Sequence, residues 1–218
     1  MKFSIPMFLG MMCCVVSVQA GELPKTLFEM AGAKQGPVRL SNSVLVIIDA
    51  QREYVDGALP LVDVDAAITD ISHLLVRARK SGAPVIHVVH KGGRALFNPE
   101  GKFFEIVSSL QPLGNETVIE KTRVSAFTGT GLEEAIKRTG RKQLIIVGFM
   151  THNCVSSTAR AARDLGYEVA VVADATATRD LPDGKGGVLP AALLQAESLA
   201  ALADRNARLV KQGADVQE

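Results

Sequence analysis

The chain has 218 residues, with 24 Lys plus Arg against 23 Asp plus Glu, 47% hydrophobic residues and 5% aromatics. That length suits one large α/β domain, and the abundance of Val, Leu, Ile and Ala excludes a disordered chain. A formal net charge of +1 gives no basic footprint for nucleic acid, two Tyr and no Trp exclude an aromatic stacking platform, and three Cys exclude a disulfide scaffold.

The first twenty residues, MKFSIPMFLGMMCCVVSVQA, place Lys2 ahead of an apolar run over 3–16 and end in small residues. This is the pattern of a secretory signal peptide cleaved after Ala20, and the run is short for a bilayer span. Export to the periplasm or medium is expected, with no stable membrane insertion once the leader is gone. Cys13 and Cys14 leave with it, so Cys154 keeps no intramolecular disulfide partner. A lone thiol in an exported protein is buried and inert, paired between chains, or chemically used.

Residues 21–42 are weakly patterned and read as an N-terminal arm; 43–218 read as one domain. The apolar run SVLVIID over 43–49 suits a central parallel strand covered on both faces. Residues 65–80 carry apolar positions at helical period, and Gly82 and Pro84 end that helix. VIHVVH over 85–90 is a second strand. The segment 92–113 is loop, with a short helix near 103–110. Residues 117–121 form a third strand. Thr130 and Glu133 have capping-box spacing, which predicts a helix from there to Thr139. Strand four spans 144–148, a small-residue helix 153–165, strand five 168–173, a helix 190–203 and strand six 207–210. Gly184 to Gly187 read as a flexible turn or a mobile lid. The alternation predicts an α/β fold: a six-stranded, mostly parallel sheet with helices on both faces, a Rossmann-like three-layer sandwich.

In such sheets, ligands bind beyond the carboxyl ends of the strands. Asp49, Lys121 and the segment after Gly148 all stand there. Cys154 opens a helix, where the macrodipole and free amides favour thiolate, and a nearby Lys pushes the same way. A carboxylate within reach could instead take the thiol proton as attack begins. Each residue also has a plain structural reading: Cys154 as a small buried hydrophobe, Asp49 as a cap or hydrogen-bond acceptor, Lys121 as a solvated charge.

Three blocks, VLVIIDAQREY over 44–54, EKTRVSAFTGT over 120–130 and VGFMTHNCVSSTARAARDLGYEVAVVAD over 147–174, resemble in order and separation the signature segments of the isochorismatase-like cysteine hydrolases. The resemblance covers about residues 40 to 210. It implies a catalytic triad with Asp49 as base, Lys121 as stabilising cation and Cys154 as nucleophile. It also implies a non-proline cis peptide just before Thr151, with the amides of Thr151 and Cys154 forming an oxyanion hole.

Two departures from relatives narrow the chemistry. Isochorismatases that cleave a vinyl ether typically lack the cysteine, so its presence favours amide, imide or carbamoyl substrates. Nicotinamidases carry an Asp-x-His metal motif after the second strand, and the stretch HVVHKGGR over 87–94 has none. No metal and no organic cofactor are expected. His87 and His90, three apart in a strand, face opposite sides, with His87 structural. The expected pocket wall is Gln51, Tyr54, His90, Phe127 and His152. Lys91, Arg94 and Arg123 read as surface charges that could meet an anion. The partner is a small-molecule substrate, and the family implies a homo-oligomer. The rival readings are vinyl ether hydrolysis with Cys154 as a bystander, and an exported binding protein of the same fold without catalysis.

Overall fold

The computed structural model describes residues 23–34 and 36–218; the expected leader over 1–20 lies outside them. Six strands form one sheet: β1 (Ser43–Ile48), β2 (Val85–His90), β3 (Thr117–Lys121), β4 (Gln143–Phe149), β5 (Glu168–Ala177) and β8 (Arg208–Val210). Their order is β3-β2-β1-β4-β5-β8, and every pairing is parallel. All six residues of β1 are buried, as a strand covered on both faces requires. The chain winds outward from β1 through β2 to β3, then returns to β4 on the other side of β1. The strand order therefore reverses between β1 and β4, where a parallel sheet opens a crevice at its carboxyl ends.

Helix α2 (Val64–Lys80) buries Ala67, Ile68, Ile71, Leu74, Leu75 and Ala78 on one face of the sheet, against Leu45, Ile47 and Val85. Helices α3 (Leu132–Arg138), α4 (Ser156–Asp164) and α5 (Ala191–Arg205) take the other face, packing on Val44, Val46, Ile146 and Val171. The three-layer expectation holds. None of the helices among the described residues is long and apolar enough to cross a membrane.

Several local expectations change. The Thr130–Glu133 capping box does not form: Gly131 is the N-cap, the Thr130 hydroxyl donates to the Ala126 carbonyl, and Glu133 pairs with Lys137 at 2.7 Å. The short helix expected near 103–110 is two separate 3-10 turns, Lys102–Phe104 and Ser108–Leu110. The N-terminal arm is more ordered than its pattern suggests. It holds a one-turn helix α1 (Leu27–Met30) with a Thr26–Glu29 capping box, and Leu40 and Val38 exchange backbone hydrogen bonds with Gln217. The Gly-rich loop is the tip of an antiparallel ribbon, β6 (Leu181–Pro182) with β7 (Val188–Leu189), closed by Asp183 accepting from the Lys185 and Gly187 amides at 2.7 and 2.8 Å. That is a side-chain-stapled turn.

Gly148 sets the distance between the two central strands at their functional ends. It has φ +107°, and a Cβ there would lie 2.0 Å from the Ile48 carbonyl oxygen. That oxygen belongs to backbone and cannot swing aside, so glycine alone keeps the residue before Asp49 in place.

Candidate active site

The carboxyl end of β1 turns immediately. Asp49 takes a left-handed conformation (φ +47°) and is fully buried. Aspartate is one of the few residues that tolerate this region. Lys121 is the last residue of β3, two strands away. Strands lie about 4.8 Å apart, so a side chain from β3 must span roughly 10 Å to reach β1, and a four-carbon stem supplies much of it. Its ammonium meets Asp49 Oδ2 at 2.7 Å, with both side chains at 0% exposure. The same nitrogen lies 3.2 Å from Cys154 Sγ, 3.2 Å from the Arg123 carbonyl oxygen and 3.0 Å from His90 Nδ1. The three residues separated by more than a hundred positions converge.

Cys154 lies in a π-helical turn, Thr151–Val155, that links β4 to α4. Such turns are rare and concentrate at functional sites. The turn is tied to the end of β5: the Thr151 hydroxyl donates to the Ala177 carbonyl at 3.1 Å, and His152 Nδ1 meets Thr178 Oγ1 at 2.5 Å. Sγ is only slightly accessible, since Cys154 is 4% exposed. The non-proline cis peptide falls between Phe149 and Met150, one residue earlier than expected.

Burial raises the Asp49 carboxyl to about 6, although the Lys121 ammonium and hydrogen bonds from Lys121 and Cys154 pull it down. Burial and the adjacent Asp49 charge push the Cys154 thiol up to about 12, against the opposing pull of Lys121. Of the two expectations, a thiolate favoured by the helix start or a thiol proton taken by the carboxylate, these directions favour the second. Desolvation and the carboxylate outweigh the ammonium. At neutral pH the proton sits on sulfur, and the ionised carboxylate beside it is the acceptor. A pH profile follows. Protonation of Asp49 removes the acceptor, so kcat/KM should fall as pH drops through about 6. With the thiol near 12, no second rise is expected between pH 7 and 9. A rise centred near the ordinary thiol value would contradict this proton inventory.

His90 is the register partner of Lys121 across β2 and β3. Because an ammonium only donates, Nδ1 must carry the lone pair. Burial and the neighbouring Lys121 charge lower the imidazole to about 4, so it is neutral at physiological pH. Asp49, His90 and Cys154 offer oxygen, nitrogen and sulfur atoms within 4.8 Å of one another, a donor set of the kind that holds a metal. Here Lys121 Nζ lies within 3.2 Å of a ligand atom from each, so the chain's own ammonium takes the cation position.

The remaining expected wall residues divide. Tyr54 is 2% exposed and packs edge-on against Phe97 and Phe149; burial raises its hydroxyl, Asp49 and Cys154 raise it further, and Arg179 opposes them. Its hydroxyl feels the charges of Asp49 and Cys154, so Tyr54 lies near the cluster. Gln51 serves the scaffold. Its Oε1 accepts from the His90 amide at 2.8 Å, and its Nε2 donates to the His90 and Phe104 carbonyls at 3.1 and 2.9 Å. That clamp fixes the end of β2, and with it the His90 ring beside Lys121. Phe127 stacks on Tyr167 with centroids 6.1 Å apart, a packing role. His152 is lowered by burial and by Arg179 and joins the turn that holds Cys154 to the end of β5. His87 lies on the opposite face, its Nε2 3.0 Å from Glu116, which also takes two bonds from Arg79. Lys91 pairs with Glu120 at the surface, and Arg94 and Arg123 are exposed. Gly148 and Thr178 are contributors that the sequence did not single out; a glycine in a strand and a threonine at a strand end carry no local signal of function.

The Isochorismatase domain model matches residues 43–210. A crystal structure described as an isochorismatase from Pseudomonas putida KT2440 superposes with TM-score 0.85 at 43% identity, covering 89% of this chain and all of that one. The secreted isochorismatase effector Isc1 of Verticillium dahliae is 39% identical over 177 residues, 80% of this chain and 90% of that protein. The ureidoacrylate amidohydrolase RutB of Variovorax paradoxus is 28% identical over 183 residues, 66% of this chain and 73% of that one. A family model that matches most of the chain, with relatives at 39% and 43% identity over most of it, establishes that this chain belongs to the isochorismatase family of hydrolases.

Proposed function

We propose that the protein hydrolyses a C–N bond of a small amide, imide or carbamoyl compound by way of a thioester on Cys154. The observation that carries this reading is the buried contact of one sulfur, one carboxylate and one ammonium, with Lys121 Nζ 2.7 Å from Asp49 Oδ2 and 3.2 Å from Cys154 Sγ. Asp49 takes the proton as Sγ attacks the carbonyl carbon. Lys121 holds the ionised site together through that step. Amides of the nucleophile's turn, those of Thr151 and Cys154 with Met150 beside them, are the proposed donors to the tetrahedral oxyanion. The protonated Asp49 then donates to the departing nitrogen. Water, activated by the same carboxylate, releases the acid from the thioester.

A relative whose name is amidohydrolase supports the bond class. The decisive experiment screens the purified protein against amides and carbamoyl compounds with ammonia release as readout, and looks for an acyl adduct on Cys154 by mass spectrometry. Ammonia release with a Cys154 adduct is expected. Turnover of isochorismate without any amide hydrolysis would favour ether cleavage instead.

Export is part of the proposal. The leader pattern of the first twenty residues supports it, as does the relative described as secreted. N-terminal sequencing of the exported chain should begin at Gly21; a retained leader counts against it.

A further inference from the structure

The amino ends of β4, β5 and β8 stand at the opposite end of the sheet from the crevice, separated from it by the length of β4, seven residues or roughly 20 Å. There the N-terminal arm borders the strand ends and encloses with them a cavity of about 460 Å³. Part of its lining is apolar: Val38, Val169 and Ala170 are buried, and Phe28 is half-buried. The arm is pinned beside the cavity at two points. The Leu27 amide donates to Asp204 Oδ1 at 2.8 Å, and the Arg163 guanidinium lies 5.3 Å from the centroid of the Phe28 ring.

The polar part of the lining is cationic out of proportion to the chain. Lys34, Arg39, Arg163 and Arg208 line the cavity, and Glu168 is the one acid among the described lining residues. The whole protein, by contrast, nearly balances 24 basic against 23 acidic side chains. Among the described residues, the side chains of Lys34, Arg39 and Arg163 form no ion pair and no hydrogen bond; Arg163 has only the Phe28 ring. Carboxylates close by are committed elsewhere. Glu168 accepts from Gln143 Nε2 at 3.3 Å, Glu29 accepts from the Thr26 amide, and Asp204 holds the Leu27 amide. A single solvated cation needs no partner. Four around one cavity repel one another, and the protein sets one carboxylate against them; a bound anion removes that repulsion.

We propose that this cavity binds a small organic phosphate, its phosphoryl group held by Lys34, Arg39 and Arg163 and its apolar body set against Phe28, Val38 and Val169. Guanidinium forks match phosphoryl oxygens in paired hydrogen bonds, and an ammonium adds a compact point charge. A phosphate monoester carries nearly two charges at neutral pH, so it answers several cations at once, where a carboxylate answers one fork. The volume lies within the range of small-molecule sites. The site is remote from Cys154 and stands or falls independently of the hydrolase reading.

Calorimetric titration of the purified protein with phenyl phosphate, inorganic phosphate and benzoate tests each part. Phenyl phosphate should bind at least about tenfold more tightly than either of the others, and its affinity should fall as salt rises. Arg39→Gln and Arg163→Gln should each weaken it by about tenfold, the scale of one charge-assisted hydrogen bond. Glu168→Gln should tighten it, a gain that misfolding cannot imitate. Unchanged melting temperatures without ligand show that the variants fold. Absence of phenyl phosphate binding at millimolar concentration, or binding indifferent to residues 39, 163 and 168, overturns the inference. Benzoate bound as tightly as phenyl phosphate overturns the phosphoryl assignment, and inorganic phosphate bound as tightly overturns the role of the apolar wall.

Discussion

Cys154→Ala should abolish amide hydrolysis, by at least about a thousandfold, while the protein still folds. The sulfur is the group that bonds to the carbonyl carbon, and the next nearest side chains, Asp49 and Lys121, are a base and a cation. Neither can form the thioester. The change in packing is small. Cys154 is almost fully buried beside Val155 and Ala159, and loss of one sulfur there should cost about 1 kcal/mol. Cys154→Ser should lose most of the activity as well. A serine hydroxyl is far less acidic than a thiol, so a carboxyl near 6 is a much poorer match as its base. Steady-state kinetics and a thermal melt on each variant measure both statements. Substantial turnover by folded Cys154→Ala protein would remove the nucleophile from the mechanism.

Lys121→Met should be damaging in two ways. The Lys121–Asp49 pair has no solvent exposure on either side chain. Removing one partner of a buried pair leaves an uncompensated charge, typically about 3–5 kcal/mol of stability. Asp49 can escape part of that cost by taking a proton. Its carboxyl is already raised by burial, and without the ammonium it should rise further. The escape destroys the function, because a carboxylic acid that is protonated at neutral pH cannot receive the thiol proton. Activity should therefore fall even where the variant stays folded. Lys121→Met combined with Asp49→Asn removes both charges and should be less destabilised than the sum of the two single changes. Denaturant unfolding of the four proteins gives that coupling directly. Additive losses, or a Lys121→Met protein with wild-type stability and turnover, would show that the pair does not act as described.

Both expectations depend on contacts across the sheet, and these were only partly legible in the linear chain. Asp49 and Cys154 were readable because each follows a continuous apolar run: β1 is buried along its whole length and β4 nearly so. Such runs announce central strands, and the residues that end them fall at the crevice. Lys121 was readable only as the end of a short strand, since β3 is an edge strand with alternating exposure and Glu120 precedes the lysine. The far end of β5 was not. Its residues 174–177, Asp-Ala-Thr-Ala, lack an apolar run, and the strand continues there only because β4 offers it a partner after a register shift. That extension carries Thr178 to the turn that holds Cys154.

The thiol's proton was likewise beyond the sequence. A cysteine at a helix start beside a lysine suggests thiolate, and only the depth of burial and the closeness of Asp49 reverse the balance. Gln51 and His90 show the same limit. A glutamine two residues after Asp49 reads as a substrate contact, yet its amide clamps the β2 backbone and thereby seats His90 against Lys121.

The sequence by itself determined the layers and set Asp49, Lys121 and the segment after Gly148 at strand ends, because hydrophobic periodicity and strand-end position are local properties of the chain, and the triad roles came from the family resemblance. Tertiary structure alone decided which atoms touch and how burial and neighbouring charge bias the thiol and the carboxyl. Those outcomes depend on desolvation and on distances of a few ångströms between residues far apart in the chain, and neither quantity exists until the sheet has closed around them.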